Sequence, residues 1–128
     1  MSDYKLLING ALVDCAAEMD VINPATEEVL AKCPRASKAQ LDEAVAAANA
    51  AFPAWRATPI AERKAKLAAI ADIIQANAQE LARILTQEQG KPIADAMGEA
   101  FGAAAFFRYF TMLDLPVKVI DDSDARKV

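Results

Sequence analysis

The sequence SKAQLDEAVAAANAAFPAW, residues 37–55, changes the apolar repeat of the chain from two residues to about 3.6. Ser37 followed three residues later by Gln40 is a capping-box pattern, in which each side chain accepts a hydrogen bond from the other residue's backbone N–H. Apolar residues then recur at spacings of four, three, four and three, at Leu41, Val45, Ala48, Phe52 and Trp55. This spacing predicts an amphipathic helix, and Pro53 predicts a bend near its end.

Upstream of this helix, two turn sequences separate short β-prone runs. Asn9-Gly10 accepts the positive φ angles of a two-residue hairpin turn, and apolar residues flank it on both sides. Asn23-Pro24-Ala25-Thr26 is a second turn sequence with the same kind of flanks. We therefore expect two short antiparallel pairings within residues 5–33.

Downstream, Thr58-Pro59 predicts the start of a second helix, with Thr58 as the N-cap and proline at the first helical position. The apolar stripe of this helix consists of Leu67, Ile70, Ile74, Ala78, Leu81 and Leu85. Asn77 and Glu80 repeat the capping-box pattern inside the stretch, which predicts a break or kink near Asn77. Gly90-Lys91-Pro92 predicts the end of that segment and the start of another helix.

The third helical stretch ends near Pro116, and its apolar stripe is Ile93, Met97, Phe101, Ala104 and Phe107. Gly98 and Gly102 are four residues apart, a spacing that predicts tight packing against another element. Residues 117–120 then predict a short strand without a hydrogen-bonding partner nearby. The fold class expected from these patterns is a mostly helical α+β chain, with N-terminal β-hairpins, three to four helices and a C-terminal strand.

Composition restricts the function. The chain has 128 residues, with 14 Lys and Arg against 18 Asp and Glu, and its formal net charge is −4. This balance disfavours nucleic acid as a partner, and no run of apolar residues is long enough to span a membrane. Histidine is absent, which excludes His-based triads and His-ligated metals. The opening residues lack a signal-peptide pattern, so we expect a cytoplasmic location.

Few residues are candidates for chemistry. Cys15 or Cys33 could act as a nucleophile, but a reactive thiolate needs a cationic neighbour or a helix N-terminus, and both cysteines lie in strand-like surroundings. We therefore interpret them as small buried or idle side chains. The polar cluster of residues 88–91 is interpreted as a helix stop. No glycine-rich phosphate loop is present, and we predict no catalytic and no cofactor-binding residue on this chain.

Several segments together resemble the opening of one enzyme family, the NAD(P)-dependent aldehyde dehydrogenases. They occur in the same order as in that family: Leu7-Ile8-Asn9-Gly10, Val21-Ile22-Asn23-Pro24-Ala25-Thr26, Ala50-Ala51-Phe52-Pro53-Ala54-Trp55-Arg56, Glu88-Gln89-Gly90-Lys91-Pro92 and Phe107-Arg108-Tyr109-Phe110. The resemblance covers essentially the whole chain, but only the N-terminal part of such an enzyme. One departure is Glu27, which stands where the family usually has glycine, so an altered or strained turn is expected there.

The resemblance implies an α/β fold and an oxidation of aldehyde to carboxylic acid. In that family a cysteine thiolate attacks the carbonyl, hydride passes to NAD or NADP, and a glutamate-activated water hydrolyses the thioester. The catalytic groups and most dinucleotide-binding residues would lie beyond Val128, so the chain alone is predicted to be inactive. The implied divisions are an N-terminal β-hairpin region at 1–36, a helical part of the coenzyme-binding domain at 37–115, and the truncated start of an oligomerisation arm at 116–128.

The resemblance also implies roles for four residues. The Ile22 carbonyl and the Glu88 carboxylate match positions that help to bind a monovalent cation in some members, and Glu99 and Ala103 match the helix that walls the aldehyde-access funnel. The implied partners are the rest of the enzyme chain or other subunits, with a homo-oligomer at full length. The alternative hypothesis is a small, non-catalytic α+β interaction or oligomerisation module.

Overall fold

The computed structural model describes residues 4–116, 118–120, 122–123 and 126–127. It begins with two antiparallel hairpins, as the sequence predicts. Strands β1 (Leu6–Ile8) and β2 (Ala11–Val13) pair with Ile8 opposite Ala11. Asn9 and Gly10 connect them with φ angles of 51° and 77°, because a two-residue loop with two positive φ angles matches the twist of the strands.

The second hairpin joins β3 (Ala17–Ile22) to β4 (Val29–Arg35), with an irregularity in the register at Val21/Ile22. Within its turn, the Asn23 side chain accepts a hydrogen bond from the Ala25 N–H at 3.0 Å. Glu27 donates its backbone N–H to the Asn23 carbonyl at 2.8 Å and has a φ of 59°. The turn therefore keeps a left-handed residue at the position where a glutamate replaces the expected glycine.

Helix α1 (Lys38–Ala57) begins with the predicted capping box. The Gln40 N–H donates to Ser37 Oγ at 3.1 Å, and the Ser37 N–H donates to Gln40 Oε1 at 3.0 Å. Gln40 Nε2 also donates to the Asp14 carbonyl at 2.8 Å, which ties the helix to the segment after β2. The helix continues without interruption past Pro53 to Ala57.

Helix α2 (Ile60–Ala76) begins one residue later than predicted, with Pro59 rather than Thr58 at the N-cap. The prediction of a threonine cap was wrong because the Thr58 hydroxyl donates backward to the Ala54 carbonyl at 3.0 Å. Thr58 therefore caps the end of α1 instead of the start of α2.

The predicted break at Asn77 is confirmed, since it separates α2 from α3 (Ala78–Gln89). The predicted mechanism was wrong, because Asn77 makes no side-chain cap. Its Nδ2 instead donates to the Ile73 carbonyl at 2.8 Å, and the Glu80 carboxylate pairs with Arg83. Gly90 ends α3 in the left-handed conformation, with φ 73° and a bond from its N–H to the Thr86 carbonyl.

Helix α4 (Ile93–Met112) packs against α2 and α3 through a line of alanines, Ala96, Ala100 and Ala104. The predicted stripe was partly wrong, because Ile93 and Phe101 are about half exposed. The predicted tight packing at Gly98 and Gly102 was also wrong, since a Cβ added at either glycine would meet nothing within 4 Å. Alanine takes the place of glycine at this helix contact.

A strand near the C-terminus is confirmed, but its position was wrong, because it lies after residue 120. Asp122–Ser123 (β5) pairs with Arg126–Lys127 (β6) in a two-stranded hairpin. Residues 118–120 are not in a strand, and Val117 lies outside the described residues. Over the described residues, the predicted mostly helical α+β architecture therefore has four helices and this short C-terminal pairing.

The buried core of the described chain is small. Its buried apolar residues are Ile8, Ala71, Ala78, Ala82, Ala96, Ala100 and Ala104. The accessible surface is 9845 Å², whereas a compact monomer of this mass exposes about 6,600 Å². Helix α1 contains no buried residue at all, although Leu41, Phe52 and Trp55 lie along it. Much of the apolar surface that the sequence patterns predict to be buried is therefore uncovered.

Candidate functional site

The turn between β3 and β4 meets the C-terminal end of α3. A Cβ placed on Gly90 would lie 3.1 Å from Pro24 Cγ, so the backbone at the end of α3 approaches the proline ring closely. This contact lies two residues from Ile22 on one side and two residues from Glu88 on the other. The fold thus brings the two residues predicted to bind a cation into one region, although they are separated by 66 positions in the sequence.

A groove of about 460 Å³ lies beside this contact, between the second hairpin and α3. Val21, Ala31 and Ile84 give it apolar walls, and Glu88 is one of its polar lining residues. The Glu88 carboxylate has no hydrogen-bond or ion-pair partner within the described chain. The carbonyl groups at the end of α3 add the negative end of a helix dipole to the same region.

The two cations that line this groove are already paired with carboxylates. Lys32 Nζ lies 2.6 Å from Asp20 Oδ1, and this hydrogen bond raises the pKa of Lys32. Arg83 lies 2.5 Å from Glu80 on its own helix, and this bond lowers the pKa of Glu80. Neither cation therefore forms an ion pair with the Glu88 carboxylate.

The predicted ligands at Ile22 and Glu88 are a backbone carbonyl and a carboxylate, which suit a hard, weakly charged ion. No group of three or more His, Cys, Asp or Glu residues that could hold a metal occurs in the part of the chain that the structure describes. One carboxylate with backbone carbonyls is an oxygen set, and it differs from the nitrogen and sulfur ligands of zinc sites. The assignment of Ile22 and Glu88 to a monovalent-cation site stays a prediction.

Glu99 and Ala103, predicted to wall a funnel, lie one turn apart on α4 and are both exposed. Glu99 forms an ion pair with Lys91, which belongs to the connection between α3 and α4. Sequence periodicity missed this pair, because the eight-residue separation crosses a helix start rather than following one face. Neither residue lines the groove beside Glu88.

The two cysteines are unpaired and half-buried. Cys33 lines the groove near Lys32 and Arg83, and its Sγ lies 3.8 Å from the Pro34 carbonyl. Because both neighbouring cations already have carboxylate partners, the site offers no free positive charge to stabilise a thiolate. No described cation is therefore available to activate the Cys33 thiol.

Across the described residues, no helix combines the length and the apolar character needed to cross a bilayer. Helix α4 has 20 residues, but Asp95, Glu99 and Arg108 interrupt its apolar sequence.

Comparison with known proteins gives one consistent result. A sequence profile described as the aldehyde dehydrogenase family matches residues 13–118. A protein described as an aldehyde dehydrogenase from Pseudomonas sp is 43% identical over 125 residues, which cover 98% of this chain and 26% of that protein.

Solved structures agree with the sequence matches. An aldehyde dehydrogenase structure from Burkholderia cenocepacia has a TM-score of 0.88 and 38% identity, over 97% of this chain and 26% of that one. A betaine aldehyde dehydrogenase variant from Staphylococcus aureus, solved in complex with NAD+, has a TM-score of 0.88 and 28% identity, over 94% and 25%.

The chain thus spans about a quarter of the length of the relatives that it matches. The matches agree with a resemblance to the N-terminal segment of these enzymes. The profile match covers the second hairpin and helices α1 to α4, and the match to the Pseudomonas sp protein extends over 98% of the chain. On the profile match and the structural similarity together, the chain belongs to the aldehyde dehydrogenase family.

Proposed function

We propose that this chain is the N-terminal portion of an NAD(P)+-dependent aldehyde dehydrogenase that converts an aldehyde to a carboxylic acid through a cysteine thioester. The observation that carries the proposal is the family match across residues 13–118, within relatives about four times as long. In this proposal the chain shapes and stiffens the enzyme, while residues elsewhere hold the dinucleotide and perform the reaction. The chain alone is inactive, and the enzyme works in the cytoplasm.

The uncovered surface supports this division. Helix α4 is apolar on nearly every side, and Phe101, Phe106 and Phe110 are each about half exposed or more. A helix that is apolar all round is normally buried on all sides, but α4 is buried here only along its alanine line. The accessible surface exceeds that of a compact monomer by about 3,000 Å², which is the scale of an obligate interface.

The domain divisions follow from the same proposal. Residues 1–36 form a hairpin region, residues 37–115 form the helical part of the coenzyme-binding domain, and residues 116–128 begin an arm that pairs between subunits of a homo-oligomer. The exposed aromatic residues of α4 support a further protein layer over this helix.

We also propose a monovalent-cation site at Ile22 and Glu88, and a funnel wall at Glu99 and Ala103. The unpartnered Glu88 carboxylate beside the hairpin turn supports the first. The funnel wall is supported by the position of Glu99 and Ala103 on one exposed face of α4. The Lys91–Glu99 ion pair would then hold the start of that wall in place.

The first test is the mass of the native product, detected in its host with an antibody raised against this chain. The proposal expects a species about four times heavier than 13.7 kDa. The immunoprecipitate should form NADH or NADPH when an aldehyde is supplied, and the purified 128-residue chain should not. A native species of 13.7 kDa without activity would contradict the proposal and support the interaction module instead.

A further inference from the structure

A second groove, of about 290 Å³, lies where the end of α1, the start of α2 and the end of α4 meet. We call it the Arg63 groove. Its apolar walls are Trp55, Ile60, Leu67, Phe110, Leu113 and Leu115, and its two polar lining residues are Arg63 and Lys64. None of these lining residues is acidic, so the charge within the groove is positive.

Arg63 is the unusual member of this group. Its Nε is buried, and it has no hydrogen-bond partner among the described residues. Arg63 also forms no ion pair within the described chain. A buried guanidinium N–H without an acceptor is unfavourable, because it has lost its water without gaining a partner. The described part of the chain thus leaves a strong donor unsatisfied.

The neighbouring charges do not satisfy Arg63. The closest carboxylate to Lys64 is that of Asp114, at 3.9 Å, and the Asp114 side chain is 99% exposed. Glu62 lies in the same turn of α2, but it is exposed and does not line the groove. Both cations also lie in the first turns of α2, where the helix dipole itself favours a negative group.

We propose that the Arg63 groove is the seat of a polypeptide segment from the remainder of the enzyme, which places an apolar side chain against Trp55 and Phe110 and a carboxylate on Arg63. This inference rests on the proposed function, since it requires a longer polypeptide. A carboxylate is the group that pairs best with the planar guanidinium fork. The apolar walls, which include exposed Trp55 and Phe110, require that this carboxylate arrive on an apolar segment.

A chemical footprint tests whether the groove is covered. Phenylglyoxal modifies arginine side chains, and mass spectrometry gives the rate at each site. We expect Arg63 to react at least about tenfold more slowly in the native product than in the 128-residue chain, because covering the groove suppresses access. The exposed Arg56 at the end of α1 serves as the reference. Equal Arg63 rates in the two samples would overturn the proposal.

Substitution tests whether the covering group is a carboxylate. In the native product, Arg63→Met should lower the Tm by at least about 3 °C, because an unpaired carboxylate is left buried. Arg63→Lys should recover part of the loss, and Arg56→Met should leave the Tm nearly unchanged. An Arg63→Met product as stable as the parent would mean an apolar cover without a carboxylate, and would refute the proposal.

These measurements do not depend on aldehyde oxidation. If Arg63→Met fails to fold, the footprint of the parent and the Tm of Arg63→Lys decide between the outcomes. A native product that lacks dehydrogenase activity but protects Arg63 from phenylglyoxal would refute the proposed function alone. An active native product in which Arg63 reacts with phenylglyoxal as fast as in the 128-residue chain would refute the groove proposal alone.

Discussion

At the scale of single residues, Glu27 has a left-handed backbone conformation that usually requires glycine. The second hairpin places position 27 at a φ of 59°, which favours glycine because a side chain there crowds the following carbonyl. The backbone nevertheless keeps this angle, held by the bond from the Glu27 N–H to the Asn23 carbonyl. The sequence comparison with the family predicted this strain from the residue type alone.

Glu27→Gly should therefore stabilise the chain. The left-handed conformation becomes unstrained, and the gain exceeds the added entropy of the unfolded chain, so we expect about 1 kcal/mol. Urea unfolding of the native product carrying the substitution measures the change. Glu28→Gly is the matched control, because Glu28 does not have a positive φ, and it should be neutral or destabilising. Equal effects at the two positions would show that the turn is not strained at Glu27.

The Glu80–Arg83 pair makes a prediction about pH. The hydrogen bond from Arg83 lowers the pKa of Glu80 from its ordinary value of 4.5. Because the folded pKa is below the unfolded one, the contribution to stability is present above the unfolded pKa and is lost as the pH falls through the folded pKa. Carboxyl NMR titration should show the lowered pKa, and Arg83→Met should raise it. An unchanged Glu80 titration in that variant would refute the assignment of the cause.

At the scale of elements, a predicted side-chain cap formed at Ser37 but not at Thr58 or Asn77. The latter two side chains bond to a carbonyl of the preceding helix instead. Ser37 and Gln40 form their box as predicted, because each backbone N–H at this helix start is otherwise unpaired. The sequence also predicts Thr58 as a helix N-cap and Asn77 with Glu80 as a capping box, but both Thr58 and Asn77 donate backward to carbonyls of the preceding helix. Sequence spacing does not distinguish these two uses of one polar side chain.

The two kinds of helix end can be separated by mutation. Ser37→Ala removes a cap and should cost about 1 kcal/mol of unfolding free energy. Thr58→Ala removes only an exposed bond to Ala54, and its cost should be smaller than that of Ser37→Ala. Urea unfolding of the native product carrying either substitution provides the comparison. A larger loss for Thr58→Ala would mean that Thr58 caps α2 after all.

The face of α4 that packs can be tested in the same way. Ala100 is buried where α4 packs against the other helices, so Ala100→Leu should destabilise the chain by about 1–3 kcal/mol through overpacking. Gly98 has open space where a Cβ would stand, and Gly98→Ala should stabilise the helix by about 0.5–1 kcal/mol. Destabilisation by Gly98→Ala would instead support the predicted close packing of another element against the glycines.

At the scale of the whole molecule, the chain buries too little of its apolar surface to behave as a self-sufficient globular domain. Its core consists of alanines and Ile8, and alanine buries little area per residue. The uncovered residues of α1 and α4 instead form extended apolar faces. Such faces promote association.

We therefore expect the isolated 128-residue chain to self-associate as its concentration rises. Light scattering after size-exclusion chromatography should give a mass above 13.7 kDa, and the mass should increase with loading. Phe106→Glu, on an exposed face of α4, should reduce the association, while Gln79→Glu on α3 is the exposed polar control. A monodisperse 13.7-kDa chain that unfolds cooperatively would favour the interaction module.

The sequence by itself determined the parts of this protein that depend on neighbouring residues. Both hairpins, the Ser37 box, the break at Asn77 and the Gly90 stop are confirmed, because turn and cap energetics act within a few positions. The family resemblance is likewise confirmed, since it depends on the order of short motifs. The cation and funnel assignments stay predictions.

Only the tertiary structure decided which helix faces are buried and which distant residues meet. The alanine line of α4, the contact of Pro24 with Gly90 and the Lys91–Glu99 pair all join elements whose spacing no local pattern encodes. The unsatisfied Arg63 belongs to the same class, because it is recognisable only once three helix ends meet. Apolar periodicity predicts which face of a helix prefers burial. The element that covers this face is decided by packing across the whole fold.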